Sequence, residues 1–255
     1  MDLGIQGKIA LVCASSQGLG LACATALARE GCTVFINGRD DTRLQAARQS
    51  IDGPVFPIVA DLNTEDGRAR IVEACPAPDI LVNNNAGPPP GALADFDHDA
   101  WLSALEANMI APIMLIRAYV DGMRERRFGR IVNITSAMVK SPRLHLALST
   151  TARTGLTAFS KALSREVAPD NVTINNLLPE RIDTPRQAFM AQRMIAAQGI
   201  TLAQARDQIA ASITAKRFGE PAEFADACAF LCSAQAGFIS GQNLQLDGAS
   251  YTGLF

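Results

Sequence analysis

Short apolar runs alternate with longer segments of helical spacing along the whole chain. Residues 9–13, 33–36, 55–59 and 80–82 are mainly apolar runs, 130–134 is rich in β-branched residues, and these together with 172–178 and 243–246 each predict a strand. Between them, residues 19–29, 42–51, 99–126 and 151–167 predict helices. In the last of these, Leu156, Phe159, Leu163 and Val167 repeat at the spacing of one helix face. Strands that alternate with helices predict a parallel sheet covered on both faces, an α/β fold of the Rossmann-type, doubly wound kind. No linker or break in composition divides the chain, so residues 1–255 are expected to form one domain. Residues 184–218 depart from the rhythm, being mostly helical and following a strand end, and are expected to form a helical lid over the ligand crevice.

Composition narrows the chemistry. With 23 basic against 25 acidic residues the net charge is −2, which provides no field for nucleic acid. The six cysteines form no Cys-x-x-Cys pair and have no histidine nearby, so no metal site is expected and the thiols read as reduced and buried. No basic region followed by an apolar run and a cleavage site opens the chain, and no apolar run reaches the ~20 residues of a membrane span, so a cytoplasmic protein with no membrane partner is expected. Acid–base groups are few: the only histidines and tyrosines are His98, His145, Tyr119 and Tyr251.

The first strand runs into Ala14-Ser15-Ser16-Gln17-Gly18-Leu19-Gly20 and then a helix. Glycines at such a turn let backbone N–H groups approach a pyrophosphate, which the positive end of the helix favours. With Cys13-Ala14 and Gly18-x-Gly20 in place of Thr-Gly-x-x-x-Gly-x-Gly, the chain resembles the short-chain dehydrogenase/reductase family, in its β-ketoacyl-ACP-reductase-like branch. Asp61-Leu62 is similar to the family's adenine-contacting pair, and Arg217-Phe218-Gly219-Glu220-Pro221 and Asp247-Gly248 to its C-terminal signatures. The Asn-Asn-Ala-Gly motif has two alignments, one beginning at Asn83 and one at Asn84, because an extra Asn intrudes. The resemblance implies a small-molecule substrate and a nicotinamide dinucleotide held by Ala14, Ser16, Gln17, Gly18, Leu19, Gly20, Asp61, Leu62, Asn84, Arg153, Pro179, Ile182 and Thr184. At the end of the second strand, Arg39 stands where a carboxylate would bond the ribose of NAD, so NADP(H) is expected over NAD(H).

The family's catalytic group is Asn, Ser, Tyr and Lys. Asn108 and Ser136 match the first two, and the family spacing from Ser136 puts Ser149 at the tyrosine position and Arg153 at the lysine position. A serine hydroxyl is far less acidic than a phenol, and an arginine stays protonated, so neither replaces its counterpart as it stands. Ser136, Ser149 and Arg153 form either a polar cradle for an oxyanion or carboxylate or a remnant that binds ribose. If hydride transfer persists, His145 is the replacement acid expected from its neutral-range chemistry. The leading expectation is an atypical NADP(H)-dependent carbonyl reductase or alcohol dehydrogenase. The competing ones are a cofactor-binding pseudoenzyme serving as sensor or partner subunit, and a non-redox offshoot, against which Gly18 and Gly20 argue. Similarity to the family also implies a homotetramer or homodimer, with Met109, Met114, Leu115 and Tyr119 as contact candidates, and Met190, Met194 and Ile195 suggest an apolar component in the substrate.

Overall fold

A computed structural model describes residues 1–254. Seven strands form one parallel sheet in the order β3-β2-β1-β4-β5-β6-β7: β1 Ile9–Val12, β2 Thr33–Gly38, β3 Val55–Val59, β4 Ile80–Asn83, β5 Gly129–Ile134, β6 Val172–Pro179 and β7 Asn243–Leu246. Each predicted strand is present, with ends moved by one or two residues. The order reverses between β1 and β4, which opens a crevice at the carboxyl ends of these strands. Helices α1 Gly18–Arg29 and α9 Pro221–Cys232 pack Leu27, Phe224 and Leu231 against one face. The charged helix α3 Glu65–Ala74 contributes little more than Ile71 to the other face. Neither α3 nor α9 was expected from the pattern.

The long helix of the other face is one rod of 28 residues, His98–Glu125. It consists of α4 His98–Leu105, a π-turn over Glu106–Ile110 and α5 Ala111–Glu125. By length and composition alone the rod would cross a membrane. In this fold its apolar stripe, Leu115, Ile116, Tyr119 and Met123, lies on the sheet, each side chain contributing roughly 1.5–3 kcal/mol by burial. Leu115 and Tyr119 are therefore core residues and cannot serve a subunit contact as expected. Helix α6 Ala147–Val167 begins earlier than predicted, so Ser149 and Arg153 stand on it one turn apart.

Four asparagines cross the sheet in a line. Asn83 donates to Asn133 at 2.9 Å, Asn133 to Asn176 at 3.0 Å and Asn176 to Asn243 at 2.8 Å, joining β4, β5, β6 and β7 side chain to side chain. Asn133 also donates to Ser160 Oγ on α6. The excursion after β6 folds as α7 Pro185–Gln198 and α8 Leu202–Ala211 around a small core of Ala191, Ala205 and Ile209. A two-bond pair between Arg206 and Asp183, at 2.7 and 3.1 Å, fastens it to the end of β6. Of the three apolar lid residues expected to meet substrate, Met194 and Ile195 turn into this core and only Met190 faces the crevice. All six cysteines are free and buried.

Candidate active site

A cleft of about 710 Å³ runs along the carboxyl ends of the strands, from the turn after β1 to the start of α6, beneath the first turns of α7. Of the residues expected at a site, Ala14, Ser16, Gln17, Gly18, Leu19, Arg39, Asp61, Leu62, Asn84, Ser136, His145, Ser149, Arg153, Pro179, Ile182 and Thr184 line it. Gly20 and Asn108 do not line it and sit behind its wall.

At one end the turn is built to present backbone. Ala14 and Gly18 have φ of +44° and +59°, so the alanine occupies a conformation that costs a residue with a Cβ about 1–2 kcal/mol. Gly20 is needed for a different reason: a Cβ there would lie 2.5 Å from the Ala14 carbonyl oxygen and 2.9 Å from Asn84 Nδ2. Asn84 Nδ2 donates to that same carbonyl at 3.0 Å. Buried Asn37, at the end of β2, holds the turn from the other side. Its carbonyl accepts from Ser15 N at 2.8 Å, and its amide donates to Ile58 and Ala60 carbonyls at 3.1 Å. The turn is thus rigid, and its helix N-terminus faces the open cleft, a cradle of the kind a pyrophosphate occupies. A dinucleotide fits these residues.

Next to this turn lie two arginines. Arg39 is exposed and approaches Asp61 Oδ2 at 3.6 Å, while Arg43, one turn into helix α2 Asp41–Gln49, faces the same cleft. Asp40 is occupied as the N-cap of α2, accepting from Arg43 N at 3.0 Å, so it is turned to the helix. Arg43 and Asn37 were not foreseen as site residues: the side chain of one arrives by helix phase, and that of the other by hydrogen bonds to a distant strand.

At the far end, Arg153 Nη1 donates to Ser149 Oγ at 2.8 Å. The guanidinium is half-buried, and burial together with the charge of Arg186 pulls it down from the ordinary arginine value to about 10. Gly87 admits it closely, since a Cβ there would lie 3.4 Å from Nη2. Ser136 caps a short turn, its Oγ accepting from Met138 N at 3.2 Å, and Thr135 precedes it at the end of β5. His145 is an exposed residue of the rim, its backbone carbonyl bonded to Gly91 N. His98 opens α4 on the surface. Tyr251 lies beside Lys140, whose ammonium is 5.4 Å from the ring, and is not a wall of the cleft.

Asn108 is the middle residue of the π-turn, and Nδ2 donates to the Ala86 carbonyl at 3.3 Å. It shares with Asn83, Asn84, Asn85 and Arg153 a pocket of about 20 Å³, room for one water. Asn83 Oδ1, at the end of the asparagine line, is buried without a partner. Asn83 is thus a strand residue bound into the sheet, and Asn84 to Gly87 form the cleft wall, the second of the two alignments. Arg143, Glu180, Arg181 and Arg186 complete the far end, with Arg143 Nη2 at 3.8 Å from Glu180 Oε1.

Comparison with known proteins agrees with this geometry. Residues 13–249 match the family described as enoyl-(acyl carrier protein) reductase. YvaG of Bacillus subtilis, an oxidoreductase by name, is 31% identical with both chains covered in full. The 3-oxoacyl-(acyl-carrier-protein) reductase of Vibrio cholerae is 30% identical over 98% of this chain and 99% of its own. The structure of L-sorbose reductase from Gluconobacter frateurii, complexed with NADPH and L-sorbose, superposes with a TM-score of 0.94 at 30% identity, all of both chains being covered. The chain belongs to the short-chain dehydrogenase/reductase family, in its ketoacyl-reductase-like branch.

Proposed function

We propose that the protein is an NADP(H)-dependent oxidoreductase acting on C–OH and C=O groups, in which Ser149 and Arg153 take the places of the family's catalytic tyrosine and lysine. The observation that carries this reading is the single cleft that joins the glycine turn and Arg39 to the Ser149–Arg153 pair. Arg39 and Arg43 would hold the 2′-phosphate, the turn the pyrophosphate, and Ile182 and Thr184 the carboxamide end. When bound, the nicotinamide gives or takes the hydride. NADPH in the complexes of L-sorbose reductase and of actinorhodin ketoreductase supports the choice of nucleotide.

The chain's own groups do the remaining work. Ser149 Oγ accepts from Arg153, which leaves its O–H to donate to a substrate oxygen. The fixed positive charge of Arg153 stabilises the negative charge that develops on that oxygen. Ser136, oriented by Met138 N, steadies the same oxygen from the end of β5. His145 at the rim is the acid of the step: it gives a proton to that oxygen in reduction, takes it back in oxidation, and re-equilibrates with solvent. Fluorescence titration with NADPH and NADH tests the cofactor, and absence of binding by either overturns the reading. NADPH oxidation by a panel of ketones and aldehydes tests turnover, which His145→Ala should reduce at least tenfold. Tight NADPH binding without turnover, and with no gain in the Ser149→Tyr/Arg153→Lys variant, would instead support a cofactor-binding sensor. We further propose a homodimer or homotetramer, which sedimentation velocity tests.

A further inference from the structure

The far end of the cleft concentrates positive charge that the chain itself does not balance. Arg143, Arg153, Arg181 and Arg186 line it, against the single carboxylate of Glu180. That carboxylate is already shared with Arg143. Arg153 has no carboxylate partner among the described residues. Its one side-chain bond is to a neutral serine, and its charged neighbour is another cation. Arg186 donates only to the Pro88 carbonyl at 3.0 Å, and Arg181 only to Gln187 Oε1 at 3.5 Å. Arg181 is half-buried, and burial lowers it from the ordinary arginine value, while Arg186 is exposed at the cleft mouth with its guanidinium 5.4 Å from the Phe189 ring. Arg181 also holds φ at +57°, a strained backbone for a residue with a long side chain. A desolvated cation left without a counter-ion is costly, and proteins keep one where a ligand supplies the anion.

We propose that the substrate carries a carboxylate, which binds to the Arg153 guanidinium with Arg186 and Arg181 closing over it. Its reacting carbon then lies beside Ser136 and Ser149, and exposed Phe189 with Met190 forms the apolar wall for the rest of the molecule. The planar fork of a guanidinium matches a carboxylate with two parallel bonds. The cofactor's pyrophosphate is a poor candidate for this anion. Its cradle follows β1, whereas Ser136 follows β5, two strands away and so roughly 10 Å distant. The proposal rests on reading the cleft as a nucleotide and substrate site.

The test is calorimetric titration of the NADPH-saturated protein with lactate, 3-hydroxybutyrate and mandelate, each against its amide. NADPH does not reduce these alcohols, so equilibrium binding is measured. At least one acid should bind ten times more tightly than its amide, with affinity falling as salt rises. Arg186→Gln should reduce that preference at least threefold and leave NADPH affinity within threefold, and Arg153→Gln should abolish the preference. Equal binding of every acid and its amide overturns the proposal. So does a tenfold loss of NADPH affinity in Arg153→Gln with the acid preference intact, which would assign the guanidinium to the cofactor. Should Arg153→Gln fail to fold, Arg186→Gln carries the same comparison. Titration without nucleotide separates the two readings. An acid preference in a protein that binds no NADPH keeps the anion site and removes the dehydrogenase.

Discussion

Two glycines two residues apart in the turn after β1 should respond to the same substitution for different physical reasons. In Gly20→Ala the new Cβ would meet the Ala14 carbonyl oxygen at 2.5 Å and the Ser15 Cα at 2.9 Å, both backbone atoms. Reaching ordinary contact requires the turn to retreat by about 1 Å, and overpacking of this kind costs ~1–3 kcal/mol. The Asn84 bond to that carbonyl would be lost with it, at ~1 kcal/mol. Replacing a helical glycine by alanine returns ~1 kcal/mol, so the net loss is about 2 kcal/mol. In Gly18→Ala the nearest atom would be 3.8 Å away, and only the φ of +59° opposes the change. That strain is ~1–2 kcal/mol, offset in part by the lower entropy of the unfolded chain, and the net is about 1 kcal/mol or less. Urea unfolding measures both, and at ~2–3 kcal/mol/M the Gly20→Ala midpoint should fall by roughly 0.7–1 M. Because Gly20 is no wall of the cleft, its effect on the cofactor must pass through the displaced turn, and NADPH affinity should drop at least tenfold. If Gly20→Ala is less destabilising than Gly18→Ala, or leaves NADPH affinity unchanged, the close approach at Gly20 does not shape the turn.

Other regions carry predictions of their own. Arg39→Ala should weaken NADPH binding at least tenfold while NADH affinity moves less than threefold; parallel losses would show that Arg39 does not read the 2′-phosphate. Asn133→Ala would leave Asn83 Nδ2 and Asn176 Oδ1 without a partner in the core, while Ser160 Oγ keeps its bond to the Leu156 carbonyl. At ~1–3 kcal/mol for each buried polar group orphaned, stability should fall by roughly 2–6 kcal/mol, and a urea-measured loss under ~1 kcal/mol would refute the role given to the line. Glu223 accepts from Arg217 and from Glu220 N, which hold its carboxyl down from 4.5 to about 2. A carboxyl lowered by folding stabilises above pH 4.5 and ceases to do so as pH falls toward 2. Thermal melts of Glu223→Gln should therefore show a shallower decline than the parent across that window, and identical slopes would remove the pair as a source of acid sensitivity.

Strands were legible because β-branched apolar runs buried on both faces have few other solutions. The positions of Ser149 and Arg153 followed from the resemblance, by the family's spacing counted on from Ser136, and their pairing followed once α6 was seen to start at Ala147. What the pattern missed was set by distant partners. Asn37 is a site-building residue only because Ser15, Ile58 and Ala60 come to it. Similarity to the family pointed to Leu115 and Tyr119 as contact residues, whereas in this chain both face the sheet and are buried. Met194 and Ile195, on the lid as expected, do not meet the crevice, because a two-helix excursion needs a core of its own and consumes them. Arg186 escaped notice because a surface arginine and one poised over a cleft are identical in sequence.

The line of asparagines bears on how the chain finds its structure. Strands such as Ile131, Val132 and Ile134 against Ile174 and Leu177 are apolar on both faces, so a pairing shifted by two residues would bury almost the same surface. Hydrophobic burial scarcely separates the correct alignment from its neighbours. A shifted strand would set Asn133 or Asn176 opposite an aliphatic side chain and strand its amide in the dry interior, at a few kcal/mol for each break. The amides therefore act as alignment marks that reject slipped assemblies during folding. Because β7 joins them last in the chain, through Asn243, β6 takes its alignment from Asn133 first, and a nascent chain cut short of Asn243 should hold β6 in register while leaving Asn176 Nδ2 without its partner.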